Sequence, residues 1–247
     1  MQSTFPSVDW IPLRVDPGKD TMLAVGSLFA FWPIYYLNST QFEPVIVALW
    51  FVGIVGLCVL LPAYYVVNYR GEGFGAVGLT TAGWQKAVLV SGMLAGLSGL
   101  GLVFEPPVST SALVVHVATV AVMLWEPFFI HGWLQLRFER AFGTVAGIVL
   151  AAAGFALFHV GVLGLTWLAG LVVLGIFQGA LFWYFNRSLL VLWPLYWAIA
   201  GTHGTIDRWV SSGGEFLLHA IALGLTGAGL WWLARNNRGA DQSEQPR

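Results

Sequence analysis

Long apolar runs separated by short polar stretches set the plan of this chain. A hydrocarbon core of about 30 Å takes around 20 helical residues to cross. Windows near that length can be drawn eight times, near 21–37, 44–67, 87–104, 110–136, 144–161, 163–185, 189–206 and 215–234. The pattern predicts an all-α fold, a polytopic integral membrane bundle of about eight transmembrane helices. Residues 1–20 precede it as a cytoplasmic or interfacial segment in which Trp10, Ile11, Pro12 and Leu13 lie along the membrane surface or belong to a disordered tail. The membrane domain covers 21–234, and the polar, aperiodic residues 235–247 are expected to be a disordered cytoplasmic tail. Asn68 to Lys86, rich in glycine, reads as an interfacial loop. Glu105, Pro106 and Pro107 break the chain after the third span, and Ser211 to Glu215 mark a turn into the last one. No internal repeat points to an inverted-repeat transporter. Small residues at 146–154 and 222–229 permit close helix approach.

Composition agrees with the membrane class: 57% of residues are hydrophobic and 9% charged. A formal net charge of −1 gives no basic surface for nucleic acid. Prolines and charges precede the first apolar run, unlike the layout of a cleaved signal peptide, so the first span is expected to remain in place. Eight spans would put Arg14, Lys19, Arg70, Lys86, Arg137, Arg140, Arg187, Arg235, Arg238 and Arg247 on one side and leave only Arg208 opposite. By the positive-inside rule both termini are then cytoplasmic, in the cell membrane. The lone cysteine, Cys58, lies in an apolar run, which rules out a disulfide framework and reads as packing.

The chemistry concentrates in Trp125 to Gly143, WEPFFIHGWLQLRFERAFG, because Glu126 is the one acidic residue deep inside an apolar span. A carboxylate there costs roughly 2.5–3.5 kcal/mol on insertion scales, so it is seldom kept without a use. Pro127 removes a backbone donor beside it and kinks the helix. Counting the helical rise of about 1.5 Å per residue from the cytoplasmic end places Glu126 roughly 16 Å deep, His159 and His203 each roughly 22 Å, and His131 about 9 Å. Ionisable groups from three helices thus reach similar depths. Asp207 follows His203 by four residues and can orient its imidazole. A buried carboxylate can take a proton from water, while a neutral histidine holds that water or donates to the developing oxyanion. The plainer reading is that Glu126 pairs with a histidine to hold helices together. His116 and His219 lie nearer the outer face and read as structural. Trp193, Trp197, Trp231 and Trp232 read as packing or interfacial anchors.

The order Glu126, His131-Gly132, then Phe155-Ala156-Leu157-Phe158-His159 resembles the CPBP family of intramembrane proteases, which includes the type II CAAX prenyl proteases and bacteriocin-processing relatives. The family's first motif is a Glu-Glu pair, three residues, then Arg, commonly followed by Gly; its second is Phe, three residues, His. Phe155 and His159 match the second motif, GLTTAGW at 78–84 resembles a stretch upstream in bacterial members, and the eight-span layout fits. Three positions depart. Pro127 stands in place of the second glutamate and His131 in place of the arginine. The third motif, His, three residues, Asn, has no histidine directly after Leu192-Trp193-Pro194, where His203 and Asp207 keep the internal spacing about a turn or more late. The resemblance implies that Glu126 activates the attacking water, that His159 assists, and that His203 is an oxyanion or water ligand.

The expectation is an intramembrane endopeptidase cleaving a membrane-anchored protein or peptide in the lipid bilayer, with no cofactor required. The rival is a protease-like fold without chemistry, acting as a binding, immunity or scaffold protein. A zinc site built from Glu126, His131, His159 and His203 suits imidazole and carboxylate chemistry, but no HExxH pattern accompanies it. Intramembrane charge alone speaks for a transporter.

Overall fold

The computed structural model describes residues 15–41, 44–103, 124–199 and 213–243, and its regular elements are helical, with a single isolated bridge between Val160 and Leu163. Helix α1 spans Lys19–Thr40. Helix α2 (44–69) begins as Pro44–Phe51 and passes through wider π turns at Val52–Leu60 and Tyr65–Tyr69. A loop carrying the 3₁₀ turn Phe74–Val77 leads to α3, Trp84–Val103. Helix α4 (125–142) opens on Trp125–Pro127, widens into a π turn over Phe128–Gln135 and closes as Leu136–Phe142. Then follow α5 (Thr144–Leu157), α6 (Leu165–Tyr184), the 3₁₀ turn Leu189–Val191, α7 (Trp193–Ile199) and α8 (Gly213–Ser243).

An aromatic core joins α1, α2, α4 and α5. Phe31 of α1 sits at its centre, edge-on to Trp125 at 5.2 Å, Phe158 at 5.6 Å and Phe129 at 5.9 Å between ring centroids. Such edge-to-face pairs each add about 0.5–1.5 kcal/mol beyond the area they bury. The indole N–H of Trp133 donates to Ser27 Oγ, which itself donates to the Ala24 carbonyl, so the polar atoms beside this core are satisfied. Small residues let helices close up as their sequence predicts: Ala151 and Ala152 of α5 are fully buried, and Ala152 lies against Gly175 of α6. The outside is apolar as well. Leu165, Trp167 and Val173 of α6 are 83%, 72% and 69% exposed, and Leu89 and Leu97 of α3 also face outward. Among the described residues, two helices, Ala48–Tyr69 and Leu165–Tyr184, are long and apolar enough to cross a membrane.

The structure differs from the sequence reading in three places. Helix α5 stops at Leu157, short of the expected 161, because Gly161 at φ +90° turns the chain and packs under the Tyr36 ring. The expected interfacial loop at 68–86 is partly internal, with Val77 fully buried. Gly132 allows this: a Cβ there would collide with the Val77 carbonyl. The last helix runs on to Ser243, through residues expected to be a disordered tail, since a nucleated helix adds one backbone hydrogen bond per further residue. The N-terminal segment up to residue 14, the first part of the span at 110–136 and the stretch 200–212 lie outside the described residues.

Candidate functional site

Glu126 stands in the first turn of α4 and is buried, at 7% exposure. Pro127 follows with ordinary helical angles, and the backbone after it takes the wide π winding. Such windings are rare and recur at functional sites. The Tyr35, Cys58 and Tyr196 side chains, from α1, α2 and α7, lie within electrostatic reach of the carboxylate. Tyr196 stands beside it with its buried hydroxyl short of hydrogen-bond geometry. Among the described residues, none completes such a bond to Glu126. Among the described residues, the acidic group thus has weak, neutral donors for neighbours and no cation.

His159 lies just past the end of α5, where Phe158 and His159 form the turn that leaves the helix. Its Nδ1 is 2.9 Å from the Phe155 carbonyl, an acceptor, so Nδ1 carries the proton and Nε2 presents a lone pair. The Phe-x3-His spacing therefore has a mechanical meaning: it puts the imidazole over the last helical carbonyls and fixes its tautomer. The ring is held by Phe158 at 4.3 Å, Tyr35 at 4.8 Å and Phe155 at 5.4 Å. The indole N–H of Trp32 donates to the Val160 carbonyl and pins the turn to α1. No hydrogen bond or ion pair joins Glu126 to His159; Tyr35 adjoins both.

His131, fully buried, belongs to a different arrangement. Its Nδ1 donates to Gln135 Oε1 at 2.8 Å, since the Gln135 amide nitrogen is committed to Glu139 Oε1 at 2.8 Å and the Gly179 carbonyl at 3.1 Å. Glu139 then takes the Arg187 guanidinium on its other oxygen, at 2.8 and 2.9 Å. This chain of bonds leads away from Glu126 to the polar end of the bundle. The remaining nitrogen, Nε2, is buried beside Gln178, whose Oε1 is also without a hydrogen bond.

An apolar cavity of about 560 Å³ adjoins the site. Trp125, Pro127 and Phe128 line it beside Glu126, together with Leu79 and Thr80 of the upstream stretch, Trp193, and Leu223 and Leu230 of α8. Glu126 and His159 themselves are not among its lining residues. Two bonds hold its mouth: Leu189 N donates to the Gly78 carbonyl and Ser188 Oγ to the Thr80 carbonyl.

Sequence reasoning thus finds Glu126, Pro127, Phe155 and His159 around one aromatic box, and places His131 with them when it lies elsewhere. It misses Tyr35 and Tyr196, which lie within electrostatic reach of the acid, and Gln135 and Gln178, which flank the His131 imidazole. The third-motif candidates His203 and Asp207 and the residue His116 fall outside the described residues, as do the side chains of Trp197 and His219. Among the described residues no three His, Cys, Asp or Glu side chains gather closely enough to hold a metal ion. The zinc set Glu126, His159 and His203 depends on a residue outside that range.

Neither the curated proteins nor the solved structures contain a match to this chain. Residues 107–207, which include Glu126, His159 and His203, match the model of the Rce1-like family, described as type II CAAX prenyl endopeptidase Rce1-like, in agreement with the CPBP-type motifs.

Proposed function

We propose that this chain is a multi-pass protein of the cell membrane, with about eight spans and cytoplasmic termini, that hydrolyses a peptide bond of a membrane-anchored protein or peptide. Glu126 takes a proton from a water molecule, the resulting hydroxide attacks the carbonyl carbon, and the protonated carboxyl then delivers its proton to the departing amine. His159, with Nδ1 committed to the Phe155 carbonyl, offers Nε2 to hold the attacking water. Because neutral Nε2 can only accept, donation to the oxyanion falls to the hydroxyls near Glu126, Tyr35 and Tyr196, with His203 as a further ligand by resemblance and Asp207 orienting its imidazole. The reading needs no metal or organic cofactor. The observation that carries it is a buried carboxylate that, among the described residues, has hydroxyls near it and no cation to neutralise it, inside a region that matches an endopeptidase family. The apolar exterior of α3 and α6 supports a lipid setting.

A second reading has one specific observation in its favour. His131, which stands where the family's arginine is expected, is engaged by Gln135 and turned from Glu126, and Pro127 replaces the partner glutamate. A fold kept for binding, immunity or scaffolding would show this pattern. The two readings separate in one experiment: strains carrying wild type, Glu126→Gln or His159→Ala at equal membrane abundance are compared for the termini of their membrane proteins. Loss of the same processing event in both variants supports hydrolysis. Unchanged termini alongside a shared phenotype would transfer the assignment to the binding reading.

A further inference from the structure

A second polar feature, separate from the Glu126 site, lies where the first turn of α1 meets the ends of α2 and α4. A basin of about 440 Å³ is lined by Lys19, Arg70, Arg137 and Arg140, by Asp16 and Asp20, and by Tyr65 and Tyr69 among others. Arg137 is its floor. The side chain is fully buried, its guanidinium stacks on Trp133 at 5.3 Å and one nitrogen, Nη2, donates to the Ala76 carbonyl at 2.7 Å, yet Nε and Nη1 have no hydrogen-bond acceptor. Burial pushes this guanidinium down to about 10, so it stays charged at neutral pH. Buried charged donors without acceptors are costly and call for a partner.

The carboxylates present do not supply it. Asp20 is approached by Arg137 at 3.5 Å and by Arg70 and Arg140 at 3.8 Å, each beyond a charge-assisted hydrogen bond, while its near contact, 2.7 Å, is the Tyr65 hydroxyl. Glu72, at the rim, is held by Arg140 at its closest contact and also accepts from Arg70 Nε at 3.4 Å. Among the described residues, Arg137 Nε and Nη1 are thus left without an acceptor at hydrogen-bond distance. Helix α1 adds the partial positive charge of its first turn, which starts at Gly18 without a side-chain cap.

We infer that this basin binds a phosphate group, whose oxygens accept from Arg137 Nε and Nη1 on the floor and from Lys19 and Arg70 at the rim. Its place at the polar end of the bundle, next to apolar helix exteriors, makes the headgroup of an anionic lipid one source of that phosphate and a soluble phosphate the other. The inference is independent of whether Glu126 performs hydrolysis.

The test uses the full chain in neutral detergent and follows thermal unfolding while short-chain phosphatidylglycerol, a short-chain diacylglycerol lacking phosphate, sodium phosphate or sodium chloride is titrated. Stabilisation by phosphatidylglycerol beyond diacylglycerol, weakened about tenfold or more in apparent affinity by Lys19→Ala and by Arg70→Ala, is the expected result. Those side chains stand at the rim, so the ligand-free variants should unfold close to wild type; Arg137→Gln, where it folds, should abolish the effect. If sodium phosphate stabilises as well, beyond chloride and with the same sensitivity to the variants, a soluble phosphate shares the site. If neither phosphate compound exceeds its control, or if the effect persists undiminished in Lys19→Ala and Arg70→Ala, the inference is overturned.

Discussion

Glu126 and Glu139 stand on the same helix with the same 7% exposure, yet their surroundings are opposite. Glu139 receives the Gln135 amide on one oxygen and the Arg187 guanidinium on the other. Glu126 is bounded by Trp125, Pro127 and the tyrosines of α1 and α7, with no cation in reach among the described residues. Burial alone does not separate an acid that holds a fold from one that reacts. What separates them is whether the neighbours already satisfy the charge. A carboxylate answered by a guanidinium has its lone pairs committed, whereas one whose described neighbours carry no charge keeps them for a substrate.

The largest expected effect tests that contrast directly. Glu126→Gln keeps shape and removes the base, so processing should fall by roughly 10²–10⁴-fold, as loss of general-base catalysis does, while unfolding temperature holds or rises. Terminal-peptide quantification and a thermal melt of the purified variant check both halves. Glu139→Ala should invert the outcome. It strands Gln135 and Arg187, costing about 2–3 kcal/mol of stability, with little change in activity per folded molecule. A Glu139→Ala protein that melts like wild type would remove the basis of the comparison. Tyr35→Phe sharpens it further: the ring stays on His159 while the hydroxyl near Glu126 is lost, so activity should drop about tenfold at nearly unchanged stability.

The smallest effect comes from the rim of the polar basin. Arg140 holds the Glu72 carboxyl well below its ordinary range, at about 2. A carboxyl lowered on folding stabilises the fold above its ordinary range near 4.5, and that contribution is lost as pH falls from there through about 2. Because Glu72 is partly exposed, its pair is worth under about 1 kcal/mol. Melts of wild type and Glu72→Gln should therefore agree only below about pH 2 and separate slightly at neutral pH. A separation that grew toward acid would contradict the assigned pairing.

How far the sequence reaches follows from which contacts are local. Glu126, Pro127 and the Phe155–His159 spacing are legible because each depends on residues a turn apart or on a carboxylate's cost in lipid. The partners of Glu126 are not, since Tyr35 and Tyr196 come from α1 and α7 and in sequence look like any packing aromatic. His131 misleads for a related reason. Five residues from Glu126, it reads as a neighbour on one helix, but its partners are decided by Gln135 on the following turn and by α6, which brings Gly179 and Gln178 against it. The end of α5 was obscured by its apolar continuation, Phe158 to Leu163, which extends the hydrophobic run beyond the last helical residue.

The π winding of Phe128–Gln135 sits between the two glutamates and sets how they are turned relative to each other. A π turn holds one residue more than the α turn it replaces, so losing a single residue there would restore ordinary winding and its more regular backbone. A loss from the ordinary α turns that follow has no spare residue to draw on and would rotate one half of α4 against the other by about 100°. With the Glu139 half anchored to α6 and Arg187, Glu126 would swing out of the aromatic box and face a neighbour it does not fit. Descent of this chain is therefore expected to forgive the loss of one residue within 128–135 more readily than the loss of one within 136–142.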